Sequence, residues 1–276
     1  MMKFLLKTSL IFVLIYASCN EPPKERTWPS ARKEAEYWYE QQEESYNGSR
    51  QSQYFIDKSL KADPTYARAW MRKAEAHIEK GEFAKGFKYL NEAVELEPIE
   101  HLGYRGCAKL YYLHDMEGAL KDLIELDSLT PNFTDAPWGR DIYYTMGVAE
   151  KGRGDLLKAL MYFTRSIYNT TREKGEDWVD VKVFLYRGIT LLEMDNPEMA
   201  IADFDKCIFY FDKFMEAHYY KGIAFLKLGQ CEKACEYFKK AKKHHDAGYS
   251  YANQMYSMVE EVLVEDILEN INLYCE

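Results

Sequence analysis

Apolar residues recur at helical spacing through most of the chain, in short stretches that come in pairs. Between residues 67 and 98, one stripe of apolar positions ends near Gly81, and a second stripe follows it. The first stripe consists of Trp70, Ala74, His77 and Ile78. The second consists of Phe83, Gly86, Phe87, Leu90, Ala93 and Val94. The pattern predicts two amphipathic helices joined by a tight turn.

Prolines set the period of this helix pair. Pro64 and Pro98 are 34 residues apart, and Pro131 follows 33 residues later, each at the end of a similar phrase. Proline cannot continue a helix, and it moves the preceding residue away from helical angles. One helix is therefore expected to end at each of these phrases and another to begin after it.

The same skeleton recurs along the chain, with a small residue where the two helices of each copy would cross. The units span 33–66, 67–100, 101–133, 140–173, 181–214 and 215–248. Crossing helices approach closely only over small side chains. The small residues are Ala74, Gly147, Gly188 and Gly222. In unit 101–133, Cys107 and Ala108 are predicted to take this place.

Two segments depart from the skeleton. In the first unit, Glu36, Glu40 and Glu43 stand where the pattern has aromatic and small residues, and end units of repeat arrays are often atypical in this way. Residues 169–180 form an insertion between units, and its Trp178 is expected either to fold back on the array or to be a contact point.

Unit 67–100 resembles the tetratricopeptide repeat (TPR). Its residues read Trp70-x2-Lys73-Ala74-x2-His77, then Gly86-x3-Leu90-x2-Ala93, then Pro98. The family pattern is W-x2-L-G-x2-Y, then A-x3-F, then P. The resemblance implies an all-α fold, a right-handed α-solenoid in which each helix pair buries its apolar face on its neighbours. Residues 249–276 are then expected to form a capping helix or helices and a tail.

The beginning of the chain has the features of a secretory signal peptide. Residues 1–18 contain a basic start and an apolar run that is far shorter than a membrane span. The segment 16–19, Tyr-Ala-Ser-Cys, resembles a bacterial lipobox, which implies that Cys19 is acylated and becomes the first residue. Residues 19–32 contain three prolines and are expected to form a tether. The alternative is an ordinary secreted protein that is cleaved elsewhere.

Charge and composition limit the classes of partner. Hydrophobic residues make up 47% of the chain and charged residues 29%, as in folded proteins. The formal net charge is −9, and it would be −11 without Lys3 and Lys7 of the leader. A surface that binds phosphates needs clustered basic residues, so nucleic acid is not an expected partner. The one dense basic run, 239–245, is interpreted as a helix C-terminus.

The sequence contains no recognisable catalytic or metal-binding motif, and we expect neither an enzyme nor a cofactor. Cys107 and Cys207 occupy apolar or small positions of the repeat and are predicted to be buried. Cys231 and Cys235 are interpreted as packing residues, because their spacing suits neither a zinc site nor an unstrained disulfide. Cys275 is expected to be a free thiol.

The resemblance further implies that the first helix of each pair lines a concave groove that receives a peptide or a partner's helix. The candidate groove residues are Arg68, Met71, Arg72, Arg105, Lys109, Tyr112, Tyr144, Leu185, Tyr186, Tyr219 and Tyr220. This groove is predicted to be basic at its N-terminal end and aromatic and aliphatic beyond it.

The leading hypothesis is a lipid-anchored TPR scaffold of the bacterial cell envelope. It would bind another protein without catalysis, in envelope assembly or in a protease or secretion complex, and would contact the membrane through its lipid alone. The alternative is a glycan-binding or enzyme-accessory surface lipoprotein, because sugar rings stack on exposed aromatic side chains. That alternative requires Trp138, Trp178 and the groove tyrosines to face solvent.

Overall fold

The computed structural model describes residues 27–131, 133–249 and 262–275, and every regular element in these ranges is helical. Its α-helices are α1 (Ala31–Glu43), α2 (Arg50–Ala62), α3 (Ala67–Ile78), α4 (Phe83–Leu96), α5 (Pro98–Leu113), α6 (Met116–Leu129), α7 (Ile142–Gly152), α8 (Leu156–Lys174), α9 (Val181–Glu193), α10 (Pro197–Tyr210), α11 (Met215–Lys227), α12 (Cys231–Asp246) and α13 (Val264–Tyr274). The predicted leader and Cys19 lie outside the described residues.

Consecutive helices pack as six antiparallel pairs, from α1 with α2 to α11 with α12. The second helix of each pair also packs on the first helix of the next, and α13 packs on α12. The predicted all-α stack of helix pairs with a C-terminal capping helix is therefore confirmed. Polar caps begin several of the helices, and Asp141, for example, accepts hydrogen bonds from the backbone N–H groups of Tyr143 and Tyr144.

A phenyl ring lies against a glycine in three of the pairs. Phe163, Phe204 and Phe238 are buried, and each lies 16 residues after its glycine. A Cβ atom on Gly147 would lie 2.5 Å from the Phe163 ring, and one on Gly188 would lie 2.6 Å from the Phe204 ring. The predicted role of these small residues in helix crossing is confirmed.

In the third pair the closest approach falls on Gly106 rather than on Cys107 or Ala108. A Cβ atom on Gly106 would lie 2.9 Å from Leu123 Cγ of the facing helix α6. The predicted register of α5 is therefore wrong by at least one residue, because glycine alone accommodates that contact. Each residue of an α-helix turns about 100° from the last, so this shift changes which side chains face the neighbouring helices.

The first pair shows a similar shift. Ala35 and Gln42 are buried on α1, and the Ser59 hydroxyl of α2 donates to the Ala35 carbonyl at 2.8 Å. Glu36 is only partly buried, and Glu40 and Glu43 are exposed. The buried residues Ala35 and Gln42 each come one position before Glu36 and Glu43, which the repeat pattern had placed inside. The acidic residues therefore lie on the open side of α1.

A basic side chain just before the small residue pairs with an aspartate on the second helix. Arg187 Nη2 lies 2.6 Å from Asp203 Oδ1, and Arg105 forms the same kind of pair with Asp122 at 2.8 Å. Burial raises the pKa of the Asp203 carboxyl, and Arg187 opposes part of that rise. These two ion pairs link the helices of the third pair and of the fifth pair, beside the apolar contact between them.

A disulfide between Cys235 and Cys275 joins α12 to the residue that follows α13. The expectations that Cys235 is a packing residue and that Cys275 is a free thiol are therefore wrong. The two residues are 40 positions apart, but α13 returns along α12 and brings their Cα atoms to 5.2 Å. Cys231 is exposed, whereas Cys107 and Cys207 are buried as predicted.

We expect Gly188→Ala to lower the free energy of unfolding by about 1–3 kcal/mol, because the added methyl group overlaps the Phe204 ring. Glu198→Ala, an exposed change on α10, is the matched control and should change it by less than about 0.5 kcal/mol. Guanidinium denaturation followed by circular dichroism measures both. Equal midpoints for the two variants would contradict the contact.

We expect Arg187→Met to cost about 3 kcal/mol of stability at pH 7, because the buried Asp203 carboxylate loses its counter-charge. The pKa of Asp203 then lies further above its unfolded value, so protonation restores stability and the deficit against wild type shrinks as the pH falls from 7 toward about 5. Thermal unfolding across this pH range tests the prediction. The exposed control Arg172→Met should show neither effect, and a deficit independent of pH would argue against this role of Asp203.

Candidate functional site

A surface pocket of about 510 Å³ lies between the first helices of the first two pairs, α1 and α3. Its charged lining consists of Glu36, Glu40, Glu43, Glu97, Arg32 and Arg68. We call it the acidic pocket, because four carboxylates accompany two guanidinium groups. The expectation that the N-terminal end of the groove is basic is therefore wrong, because the rotation of α1 adds its glutamates to this face.

Arg32 is engaged at the edge of the acidic pocket. Its Nε donates to Asp63 Oδ2 at 2.6 Å, and a terminal nitrogen donates to the Thr65 carbonyl. Hydrogen bonds from Thr65, together with Arg32, hold the pKa of Asp63 below its ordinary value. The guanidinium of Arg32 is thus fixed by the turn that precedes α3.

Arg68 is engaged inside the pocket. Its guanidinium carbon lies 5.0 Å from the centre of the Tyr39 ring, a cation–π contact. By contrast, no basic side chain within the described ranges forms an ion pair with Glu40 or Glu43. Glu43 interacts electrostatically with Arg68, and Glu40 with Lys33, but neither carboxylate forms a close ion pair with a described side chain.

Arg72, another predicted groove residue, is held by its neighbours. Its Nε donates to Gln42 Oε1 at 3.1 Å, and Nη1 donates to Glu75 Oε2 at 3.0 Å. Burial raises the pKa of Glu75, and the Arg72 guanidinium opposes that rise. Arg72 therefore joins α1 to α3 within the array.

A second pocket of about 630 Å³ lies beside α3 and α5. Most of its large lining side chains are aromatic or aliphatic, and Glu100, Thr130 and Asp135 add polar groups to them. The large side chains are Met71, Ile99, His101, Tyr104, Phe133 and Trp138. We call it the apolar pocket. Ile99 and Phe133 are 49% and 67% exposed, so large apolar side chains face solvent at its edge.

His101 lies between the two pockets and is 7% exposed. Its Nε2 has no hydrogen-bond partner among the described residues, and Glu97 Oε2 of the acidic pocket is 3.9 Å away. Burial lowers the pKa of His101, so the ring is neutral at pH 7. A neutral imidazole nitrogen without a partner is a costly group to bury.

The loop between α6 and α7 closes the C-terminal side of the apolar pocket. Pro137 packs on Gly103, where an added Cβ atom would lie 2.9 Å from it. The Trp138 ring lies 5.3 Å from the Tyr104 ring and 5.8 Å from the Tyr112 ring. Tyr112, a predicted groove residue, is therefore covered on one side by this loop.

Arg105 and Lys109 do not line the pockets. Both pair with the buried Asp122 of α6, at 2.8 Å and 2.7 Å. They face the second helix of their own pair because the register of α5 differs from the predicted one. Their charges are thus used inside the array.

The remaining predicted groove residues lie in the C-terminal half, where most are inaccessible. Tyr144, Leu185, Tyr186 and Tyr220 are all buried. The rings of Tyr144 and Tyr186 lie 5.5 Å apart, and burial raises the pKa of both phenols. Tyr219 is partly buried, and its hydroxyl accepts a hydrogen bond from Asn270 of α13. Met71 lines the apolar pocket and Arg68 lines the acidic pocket, whereas Tyr144 lines a third pocket, of about 210 Å³, beside α7, α8 and the start of α9.

The surface required for stacking on sugars is not assembled. The groove tyrosines Tyr144, Tyr186 and Tyr220 are buried, and Trp138 is packed against neighbouring rings. Trp178 alone of the residues named for this role has a largely exposed ring, at 68%. The glycan-binding alternative required Trp138, Trp178 and the groove tyrosines to face solvent, and most of these rings do not.

Among the described residues, no three His, Cys, Asp or Glu side chains gather in a way that could hold a metal ion. None of the helices in the described ranges combines the length and apolarity that crossing a bilayer requires.

The predicted groove did not include His101, Ile99 or Phe133, which line the apolar pocket. The glutamates of α1 were visible as departures from the repeat, and Ile99 and Phe133 flank two of the period-marking prolines. Only their joint position beside the loop at Pro137 identifies them as one surface.

Two family models described as tetratricopeptide repeat match the chain, over residues 67–100 and residues 216–246. A curated protein, Protein CTR9 homolog of Arabidopsis thaliana, is 23% identical over 193 residues. The match covers 68% of this chain and 17% of that protein, so the chain spans about a sixth of its relative's length.

Solved structures with similar folds include PilW, MamA and YrrB. PilW, a type IV pilus biogenesis factor, has a TM-score of 0.60 and 18% identity, covering 79% of this chain and 95% of that one. MamA has a TM-score of 0.55 and 21% identity, covering 63% and 95%. YrrB, a TPR protein with an unusual peptide-binding site, has a TM-score of 0.55 and 16% identity, covering 69% and 92%.

At these identities the similarity to solved structures shows the fold alone. The family models locate individual repeats, and the helix pairs supply the same architecture between them. The chain carries tetratricopeptide repeats, and its described residues form a helical solenoid of the kind that these repeats build.

Proposed function

We propose that this protein is a non-catalytic adaptor of the bacterial cell envelope, anchored by a lipid on Cys19, that binds a segment of another protein. The observation that carries the proposal is the pair of open pockets on the face shared by α1, α3 and α5. Exposed Ile99 and Phe133 at the edge of this face have the character of a surface that a partner covers.

The fold supports a role in binding. TPR proteins commonly bind protein or peptide partners, and the description of YrrB refers to a peptide-binding site. PilW is described as a biogenesis factor for type IV pili. A role for this chain in envelope assembly or in a protease or secretion complex remains part of the proposal.

The location rests on the leader and on the disulfide. The lipobox-like ending at Cys19 favours a lipid anchor, and the proline-containing segment after it suits a tether. Disulfides persist in oxidising compartments such as the bacterial periplasm and are rare in the cytosol. The Cys235–Cys275 bond therefore supports a position outside the cytoplasm.

We expect wild-type protein in its host to incorporate an alkyne analogue of palmitate, and Cys19→Ser to lose the label, because the Cys19 thiol is the acylated group. Cys231→Ser, which removes an exposed thiol of α12, is the matched control and should keep the label. In-gel fluorescence after click chemistry measures both. Equal labelling of Cys19→Ser and wild type would exclude this anchor.

We expect a photo-crosslinking phenylalanine analogue at Phe133 to join the protein to a partner in intact cells, because Phe133 lies at the edge of the apolar pocket. The same analogue at Phe209, which is 78% exposed on α10, serves as the control for accidental proximity. Mass spectrometry identifies the joined peptides. The proposal fails if Phe133 yields no partner, or the same partners at the same yield as Phe209.

A further inference from the structure

We propose that the bound protein segment is both basic and apolar, with a Lys or Arg side chain in the acidic pocket and a large apolar side chain in the apolar pocket. This inference rests on the proposed function and specifies the chemistry of the partner. It follows from three features of the face shared by α1, α3 and α5.

The first feature is the charge of the acidic pocket. Arg32 is paired with Asp63, and Arg68 lies on the Tyr39 ring. Glu40 and Glu43 have no ion-pair partner within the described part of the chain, and both are exposed. A cationic side chain would therefore meet four carboxylates that the two guanidinium groups of the pocket balance only in part. Complementary charge sets partner choice and association rate.

The second feature is His101, which connects the two pockets. Its imidazole lines the apolar pocket, and its Nε2 lies 3.9 Å from the Glu97 carboxylate of the acidic pocket. The side chain is more than nine-tenths buried, and this nitrogen has no hydrogen-bond partner among the described residues. A backbone group of a segment that crosses from one pocket to the other would satisfy it once the side chains that cover this buried nitrogen move aside.

The third feature is the apolar pocket itself. Ile99 and Phe133 expose large apolar surfaces at its edge, while Pro137 packs firmly on Gly103 behind it. A Leu, Ile or Phe side chain placed there would cover both exposed residues. A small cation would leave this surface uncovered, and an acidic segment or a nucleic acid would be repelled by the carboxylates nearby.

The test measures the binding of labelled decapeptides to the full chain, purified in detergent, by fluorescence polarisation. The first peptide alternates Lys and Leu, the second replaces each Lys with Glu, and the third replaces each Leu with Ser. We expect the Lys/Leu peptide to bind at least about tenfold more tightly than either of the others, and its binding to weaken as salt is added.

Two double variants with equal net charge separate the site from general attraction to an acidic protein. Glu40→Lys with Glu43→Lys reverses the acidic pocket, whereas Glu92→Lys with Glu125→Lys reverses exposed residues of α4 and α6. The pocket variant should lose at least about tenfold in affinity for the Lys/Leu peptide and gain affinity for the Glu/Leu peptide. The control variant should change by less than about twofold. Equal losses in the two variants would overturn the inference.

A third double variant tests the apolar pocket. Ile99→Ser with Phe133→Ser changes exposed residues, so the fold should persist, as circular dichroism can verify. Affinity for the Lys/Leu peptide should fall by about tenfold, while the weak binding of the Lys/Ser peptide should not change. An unchanged affinity for the Lys/Leu peptide would remove the apolar half of the inference.

The photo-crosslinking experiment distinguishes failure of this inference from failure of the proposed function. If Phe133 joins a partner in cells but the joined peptide is acidic, or the decapeptides bind without regard to the pocket variants, the adaptor role stands and the inference falls. If Phe133 joins no partner, the adaptor role itself falls. A joined peptide that carries Lys or Arg near a large apolar residue agrees with both.

Discussion

The contact between a phenyl ring and a glycine backbone sets the distance between the helices in three of the pairs. Phe163, Phe204 and Phe238 lie against glycines so closely that a Cβ atom would overlap each ring. Protein interiors are packed too densely to absorb such an overlap without a shift of the backbone. Because each pair is fixed in this way, its remaining apolar surface can be buried only on the next pair. The stack, and the face that its first helices share, both depend on this approach.

That shared face differs between the two halves of the array. In the C-terminal half it is filled by aromatic and aliphatic side chains such as Tyr186 and Leu185, which support neighbouring helices. In the N-terminal half, the loop at Pro137 and Trp138 covers part of α5, and two pockets stay open beside it. The loop between α6 and α7 therefore bounds the apolar pocket on its C-terminal side.

The architecture could be predicted from the sequence because its determinants are local. Small residues and prolines recur at a fixed period. The small residues indicate where helices cross, and the prolines indicate where helices end. The side chains of the site could not be predicted in the same way. A shift of at least one residue in α5 moves Arg105 from the expected groove to Asp122, and a similar shift in α1 brings glutamates to the open face. The disulfide joins residues 40 apart that only tertiary packing brings together. The periodicity of the sequence indicates which helices form. The rotation of each helix about its own axis decides which of its residues are exposed, and that rotation depends on packing against neighbouring helices.

The disulfide between Cys235 and Cys275 must form late in the maturation of this protein. The bond cannot close until α13 has been made and has returned along α12, so the last pair keeps an uncovered side during synthesis. Closure also requires an oxidant, which a chain still in a reducing cytosol does not meet. In the envelope location that we propose, completion of the capped array would coincide with arrival in that compartment, and a newly made chain would differ covalently from a finished one.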